Sequence, residues 1–453
     1  MFTLPLSLQS LMQCLLPVFT APCFQTQTEI FLGWMMCLSR RTEFSVFRTI
    51  HAHKSLNRKV RHPFDRFYNF FARSAWTVAD LGRFVAVEIV TRMYLQGTLQ
   101  LVTDSTLIHK RGKHVYGLGW FRDAPRSTKK RVATASGNQW VVVALIVPVP
   151  ATDIYITLPI HVDIHTPGEN QPGEAGLVRK MLKEILQWFP DRDLSLVGDG
   201  GFSNKNLLKG LDRRRVTYTG VIRSDAEIYD VTPPKQPKSK PGPKPRKGGR
   251  LPSPKQAALK ANRTKSENSP WAWRTTTATA YGVTRSLQVL AYPAVWPEVA
   301  GLDPILIVIV RDPLKKLKDK YLFTTDLNAS PRWVIETYAK RWCIEVMFKA
   351  SKQVLGIEQP QHWCKNSIKK LAPWVWLMQS LVILWYLTEG HQTSEASEER
   401  GNMGEWETEW SFRHMYRVCR KVILRRTITR HSGTKAELAE LISSLESYLN
   451  LAA

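Results

Sequence analysis

The chain has 453 residues, 43% of them hydrophobic, which excludes global disorder and exceeds what one compact core of about 150 residues takes up. Lys and Arg number 64 against 38 Asp and Glu, a net +26 that points to a polyanionic partner: DNA, RNA or an anionic membrane. Six cysteines without a C-x2-C pair exclude a disulfide framework and a tetrahedral thiolate site, and fit a reducing compartment.

Residues 1 to about 95 read as mostly helical. The apolar run Leu11 to Phe19 has no Lys or Arg before it, so it lacks the positive n-region of a secretory signal. A basic patch from Arg48 to Arg66 (with Lys54, Arg58, Lys59 and Arg61) is interleaved with and followed by the aromatics Phe64, Phe67, Tyr68, Phe70 and Phe71. That mixture reads either as a DNA-contacting helical module or as a helix whose aromatics form a core.

From 99 to 165 the pattern turns to β. Leu99–Ile108, Gln139–Pro148 and Ile154–Ile164 are short, β-branched runs bounded by Gly, Pro or charge clusters. Helical spacing follows over Gly173–Phe189, then a strand at Leu194–Val197 that runs into Gly198-Asp199-Gly200-Gly201. A helix over Asn204–Arg214 and a strand over Val216–Ile222 complete a mixed α/β pattern. Within it, His161-Val-Asp163-Ile-His165 sets three ligand types on one strand face, a possible zinc site that lacks a nearby fourth ligand.

The segment from about 224 to 330 interrupts this pattern. Pro233 to Lys265 holds eleven Lys and Arg, no acidic residue, and eight prolines by Pro254, too little apolar surface to fold alone. Its core, which includes Arg246 and Arg250, reads as a minor-groove arm or as a solvated linker. Trp271–Tyr292 and Ile305–Thr325 then read as strands of a small β unit. Ser330-Pro331 starts a helix that runs to about Leu355 and stops at Gly356. Leu371–Leu387 is apolar but contains Pro373, Gln379 and Ser380 and falls short of a bilayer span, so a buried helix is expected. An acidic joint (Glu395–Glu409), a basic helix (Arg413–Arg430) and a short amphipathic tail end the chain.

Three acids carry the chemistry. Asp104 interrupts an apolar strand, Asp199 ends another, and Glu345 lies on the 331–355 helix. A bare carboxylate in a strand core is costly unless it is paired or holds a metal. Two strand-borne Asp and one Glu make a hard oxygen set suited to Mg²⁺ or Mn²⁺, and two such ions would serve phosphoryl transfer. On the helix, Tyr338, Arg341, Glu345 and Lys352 share one narrow stripe at about 100° per residue. A Glu flanked by cations and a Tyr hydroxyl fits a scissile phosphate; a charged solvated face with an i,i+4 Arg–Glu pair is the plain alternative.

The spacing Y-x2-R-x3-E-x6-K, after Asp-Ser-Thr on a strand and Gly-Asp at a strand end, resembles the bacterial insertion-sequence DDE transposases with a β insertion before the Glu. The resemblance covers about residues 40–390 and is strongest at 101–106, 194–208 and 321–357. It implies an α/β fold: an RNase H-like mixed-sheet catalytic core interrupted by a mainly β insertion, with helical N- and C-terminal regions. The corresponding divisions are a DNA-binding region (1–95), the core's first part (96–223), the insertion (224–330), the core's second part (331–390) and a C-terminal helical region (391–453). By the same resemblance Asp104, Asp199 and Glu345 are the ligands of two Mg²⁺ ions, with Mn²⁺ as substitute, and Tyr338, Arg341 and Lys352 contact DNA phosphates. Trp271 or Trp273 would stack on a flipped base, or pack in the core; Arg246 and Arg250 would meet DNA through the arm, whose length departs from compact insertions of the family.

The implied activity is strand cleavage at transposon ends and strand transfer into target DNA, by a homodimer on double-stranded DNA, with inverted repeats and target as substrates. Neither a membrane nor a small-molecule cofactor is expected, and the compartment is the bacterial cytoplasm, at the nucleoid. The competing readings are an inactive, transposase-derived DNA-binding regulator and a simple metal-dependent endonuclease.

Overall fold

The computed structural model describes residues 2–51, 64–128, 130–168, 172–232, 247–264, 266, 269–314, 318–404 and 407–430. Lys54, Arg58, Lys59, Arg61, residues 233–246 of the Pro-rich arm with Arg246, and the tail after 430 lie outside them.

Five helices open the chain: α1 (Leu6–Met12), α2 (Ala21–Met36), α3 (Glu43–His51), α4 (Asp65–Ala72) and α5 (Val78–Arg92). On α4, Phe67, Phe70 and Phe71 are fully buried, so these aromatics serve the core. The α/β part follows as β1 (Leu99–His109), β2 (Gly119–Arg122), β3 (Thr134–Pro148), β4 (Tyr155–His165), α6 (Gly173–Trp188), β5 (Leu194–Val197), α7 (Lys205–Leu208) and β6 (Val216–Val221). Strands β4, β3 and β1 pair antiparallel, and β5 and β6 continue the sheet in parallel. The order β4-β3-β1-β5-β6 is that of an RNase H-like core. Trp140 to Val147 on β3 are all buried, as a central strand covered on both faces requires.

After α8 (Pro254–Arg263), the interrupting segment supplies β7 (Arg274–Ala280), β8 (Val283–Val295), β9 (Pro304–Arg311) and β10 (Lys320–Thr324). These strands extend the same sheet, because β10 pairs antiparallel with β6 and the order runs on as β6-β10-β9-β8-β7. Tyr281 (φ 55°) and Gly282 (φ 73°) make the two-residue turn between β7 and β8, with both residues in the left-handed region such turns demand.

Four helices remain of note beyond it: α9 (Pro331–Lys340), α10 (Trp342–Gln353), α11 (Lys365–Thr388) and α12 (Ser394–Gly401), before α13 (Phe412–Arg430) closes the described chain. Although α11 is long and apolar enough to cross a membrane, 94% of its most apolar stretch is buried inside the protein. Its Trp376 packs edge-on against Trp140 of β3, ring centroids 5.9 Å apart.

Four local expectations change. The helix expected over 331–355 divides at Arg341, where the hydrogen bonds Arg341 N to Tyr338 O (3.1 Å) and Ile344 N to Arg341 O (3.2 Å) tighten the turn. The reason is packing: Val334 and Ile335 of α9 join a small core with the insertion strands, whereas Ile344 and Met347 of α10 join the main core. The helix expected over Asn204–Arg214 is the single turn α7, capped by Asn204; the Asp212 carboxylate folds the chain back by accepting from Arg214 N. The short strand β2 had no recognised pattern. Finally, the end of the basic arm does fold, not alone but as α8, whose Ser253/Gln256 capping box starts it and whose Ala257, Ala258 and Ala261 are buried.

Candidate active site

Strand register brings the two aspartates together. In the parallel pair β1–β5, Leu99 faces Leu194 and Val102 faces Val197. Carried two residues further, that register sets Asp104 beside Asp199, just past the end of β5. Gly198 lets the chain leave β5 close against Tyr218 of β6, since a Cβ there would stand 2.8 Å from the Tyr218 hydroxyl. Asp199 turns the loop on itself, its Oδ1 accepting from Gly201 N (2.8 Å) and Phe202 N (3.3 Å).

Arg341, at the joint of α9 and α10, reaches across to both sides of this cleft. Its Nη1 donates to Asp104 Oδ2 (3.2 Å) and its Nη2 to Glu345 Oε1 (2.6 Å). The guanidinium is 14% exposed and lies 5.9 Å from the Tyr338 ring centroid. Burial alone would depress its pKa, but the hydrogen bond to Glu345 and the facing Tyr338 and Asp104 raise it above its ordinary value. Burial pushes the Asp104 carboxyl up to about 7, with the Asp199 charge adding to the effect; the Ser105 backbone N–H and Arg341 oppose it. The Tyr338 hydroxyl is likewise raised, first by burial.

This donor set fits a hard divalent cation. Asp104 is a half-buried carboxylate raised first by desolvation and then by the Asp199 charge, a frustration that a cation between the two would relieve. Glu345 is partly open to solvent and hydrogen-bonds the same guanidinium as Asp104. Among the described residues no three acidic, His or Cys groups already converge as a closed metal cage. The guanidinium supplies the positive charge between Asp104 and Glu345.

The other predicted residues are dispersed. Lys352 lies two turns along α10 from Glu345 and donates from Nζ to Leu107 O of β1 (2.6 Å), with Glu358 3.7 Å away. Trp271 packs on Tyr292 (5.2 Å) under Lys260, and Trp273 donates to Asn262 Oδ1 (3.0 Å) under the Arg311 guanidinium. Both tryptophans thus hold α8 to the insertion. Arg250 is exposed and paired with Glu227 (3.7 Å). His161 of the possible zinc triplet bonds Glu184 Oε2 (2.8 Å) and stacks on Trp188 (5.3 Å, 10°), a packed pair beneath α6.

Sequence reading missed two aromatics. Tyr281 at the β7–β8 tip is 64% exposed and meets the half-exposed Trp342 edge-on at 6.4 Å, next to Arg341. The Tyr-Gly turn pair was the available signal for Tyr281.

Two family models match the chain: a DDE superfamily endonuclease over residues 14–282, which includes Asp104 and Asp199, and the archaeal putative transposase ISC1217 over residues 259–384, which includes Glu345. No curated protein matches it. Among solved structures it is similar to the cryo-EM structure of a piggyBac transposase synaptic complex with hairpin DNA, at 12% identity and a TM-score of 0.37, over 96% of this chain and 80% of that one.

Proposed function

The chain belongs to the DDE superfamily of endonucleases, and on that premise we propose that it is a transposase that cuts DNA at transposon ends and joins the freed end to target DNA. The observation that carries this reading is the half-buried Asp104 beside Asp199, with Arg341 bridging Asp104 to Glu345. A site meant only for DNA binding has no use for two half-buried acids set side by side at the end of a strand pair.

In this reading Asp104, Asp199 and Glu345 hold Mg²⁺, or Mn²⁺ in its place. The metal's contribution is to activate the attacking oxygen and to stabilise the charge on the leaving one. Arg341 and Tyr338 orient the scissile phosphate, the guanidinium by exchanging its carboxylate partners for phosphate oxygens, which it matches in geometry. Lys352 steadies β1 against α10 and presents a second positive charge further along the bound strand. Water is the nucleophile for the first cut, and the 3′-hydroxyl it frees is the nucleophile for joining. The working form is a homodimer on paired inverted repeats, acting at the nucleoid in the bacterial cytoplasm.

The test uses purified protein and duplexes that carry the inverted repeats flanking the gene. Asp104→Asn, Asp199→Asn and Glu345→Gln should each abolish cleavage in Mg²⁺ and leave end binding largely intact, because affinity comes from basic surfaces. Near-normal nicking by any one variant removes that residue from the site. Cleavage without joining in the wild type would make the protein a simple endonuclease.

A further inference from the structure

Past the carboxylates, β1 runs on to His109 and into an open cleft of about 940 Å³ that the proposed chemistry does not use. Its walls are the loop from β1 to β2 on one side and residues 358–363 on the other. They are tied together: Tyr116 N donates to Trp363 O (2.9 Å), and Lys110 Nζ donates to Glu358 O (3.0 Å) and Pro360 O (2.6 Å). His109 Nδ1 and Glu358 Oε1 are 3.0 Å apart across the same seam. The two walls are therefore joined by backbone and side-chain contacts.

Its lining is basic: Arg40, Lys110, Arg111, Lys113 and Arg126 line it with one carboxylate, Glu358, which Lys352 and His109 already engage. Three of the five cations have partners, Lys110 on the Glu358 and Pro360 carbonyls, Arg40 on Gln359 O (3.2 Å) and Arg126 on the Asp123 carboxylate (3.5 Å), which leaves Arg111 and Lys113 as the spare charges. Arg111 and Lys113 are exposed and make no ion pair among the described residues. Two indoles complete the lining, Trp120 at 76% and Trp363 at 64% exposure, far more open than tryptophans ordinarily are. Spare cations beside exposed aromatic faces are what an unpaired nucleic-acid strand requires: charges for its phosphates and π-surfaces for its bases. A paired duplex offers no base face to stack on, and the cleft has the volume of a small-ligand site, room for a few nucleotides only.

We propose that this cleft is a second DNA site that holds an unpaired strand, with phosphates on Arg111 and Lys113 and bases against Trp120 and Trp363. The proposal rests on the transposase reading for the identity of the polyanion. Five residues of β1 separate Asp104 from His109, roughly 17 Å at the rise of a strand. At 3.4 Å per stacked nucleotide the captured bases lie about five nucleotides from the scissile bond. Lys352, bonded to Leu107 between the two, marks the path.

The experiment measures binding in EDTA, by fluorescence anisotropy, of blunt end-containing duplexes and of the same duplexes frayed to single strands about five nucleotides from the cut. Wild type should prefer the frayed DNA. Trp120→Ala and Trp363→Ala should each weaken frayed binding about five- to a hundredfold and leave blunt binding unchanged, which also reports intact folding. Arg111→Gln with Lys113→Gln should lower the salt slope for frayed DNA by about 1.4. Unchanged affinity for frayed DNA, equal losses on both DNAs, or full competition by a free deoxynucleoside monophosphate would each overturn the assignment. Wild type that neither binds these DNAs in EDTA nor cuts them in Mg²⁺ would overturn the transposase reading itself; wild type that cuts in Mg²⁺, with variants indistinguishable from it in binding frayed DNA in EDTA, would overturn the cleft alone.

Discussion

At Asp104 the chain carries a conflict between burial and charge. Its carboxyl is raised to about 7 from an ordinary 3.8 by burial and by Asp199. The folded protein therefore keeps a proton there that the unfolded chain releases near pH 4. Between those values stability falls as pH rises, and the loss is complete above about 7, on the order of 4 kcal/mol at most. Asp104→Asn removes the ionisable group, so in EDTA its melting temperature at pH 8 should exceed the wild type's, and the gap should close by pH 4. Parallel melting curves for the two proteins across that range would show that Asp104 is not the group in conflict. The Ser105 backbone N–H and then Arg341 moderate the conflict, and the position of Arg341 was legible in the spacing Y-x2-R-x3-E. Its bridge to Asp104 was not, because that contact spans 237 positions of chain.

The two helices on either side of Arg341 explain why this arginine is so placed. Packing α9 on the insertion strands and α10 on the main core forces a tight turn between them, and the turn holds the guanidinium in the cleft. Arg341→Ala leaves Asp104 and Glu345 without their shared partner. Cleavage should slow about ten- to a hundredfold, the worth of one charge-assisted contact of 1.5–3 kcal/mol. Asp104 should also titrate at higher pH, since the arginine is one of the charges that lowers its pKa. Single-turnover cleavage at several pH values, with Mn²⁺ titrated, checks both expectations. Full recovery by Mn²⁺ alone would reduce Arg341 to a positioning residue for Glu345. At the same scale, α8 shows how a helix hides in a basic, Pro-rich stretch: Ser253-Pro254-Lys255-Gln256 is a start signal, but the charge run around it masks the alanine face that packs.

Over the whole molecule the positive charge is uneven, and one run, between 233 and 246, carries Lys235, Lys238, Lys240, Lys244 and Arg246 without one acid. Because α8 is part of the folded insertion, deletion of 233–246 removes these charges and spares the packed helix. If they neutralise DNA phosphates, the slope of log K against log salt should shrink by up to about four to five, with cleavage chemistry unchanged at low salt. An unaltered slope would make the segment a linker. The long apolar helix α11 belongs to this scale too: composition makes it resemble a membrane span, and burial among the helices and the sheet makes it the protein's central strut.

What the amino-acid sequence determined by itself was local: the strands β1, β3, β4, β5 and β6, the helices α6 and α11, and the three isolated acids, each readable from period, turn residues and the cost of a charge in an apolar strand. The tertiary structure decided what those pieces meet. The β1–β5 register puts Asp104 beside Asp199, the division of packing at Arg341 bends one expected helix into two, and pairing of β10 with β6 turns an insertion into more of the same sheet. It also engaged Trp271 and Trp273 with α8 and exposed Trp120 and Trp363 beside spare cations. The physical reason is that period and propensity act within about a turn of chain, whereas register, burial and charge pairing join residues tens to hundreds of positions apart and are satisfied only once the chain has closed on itself.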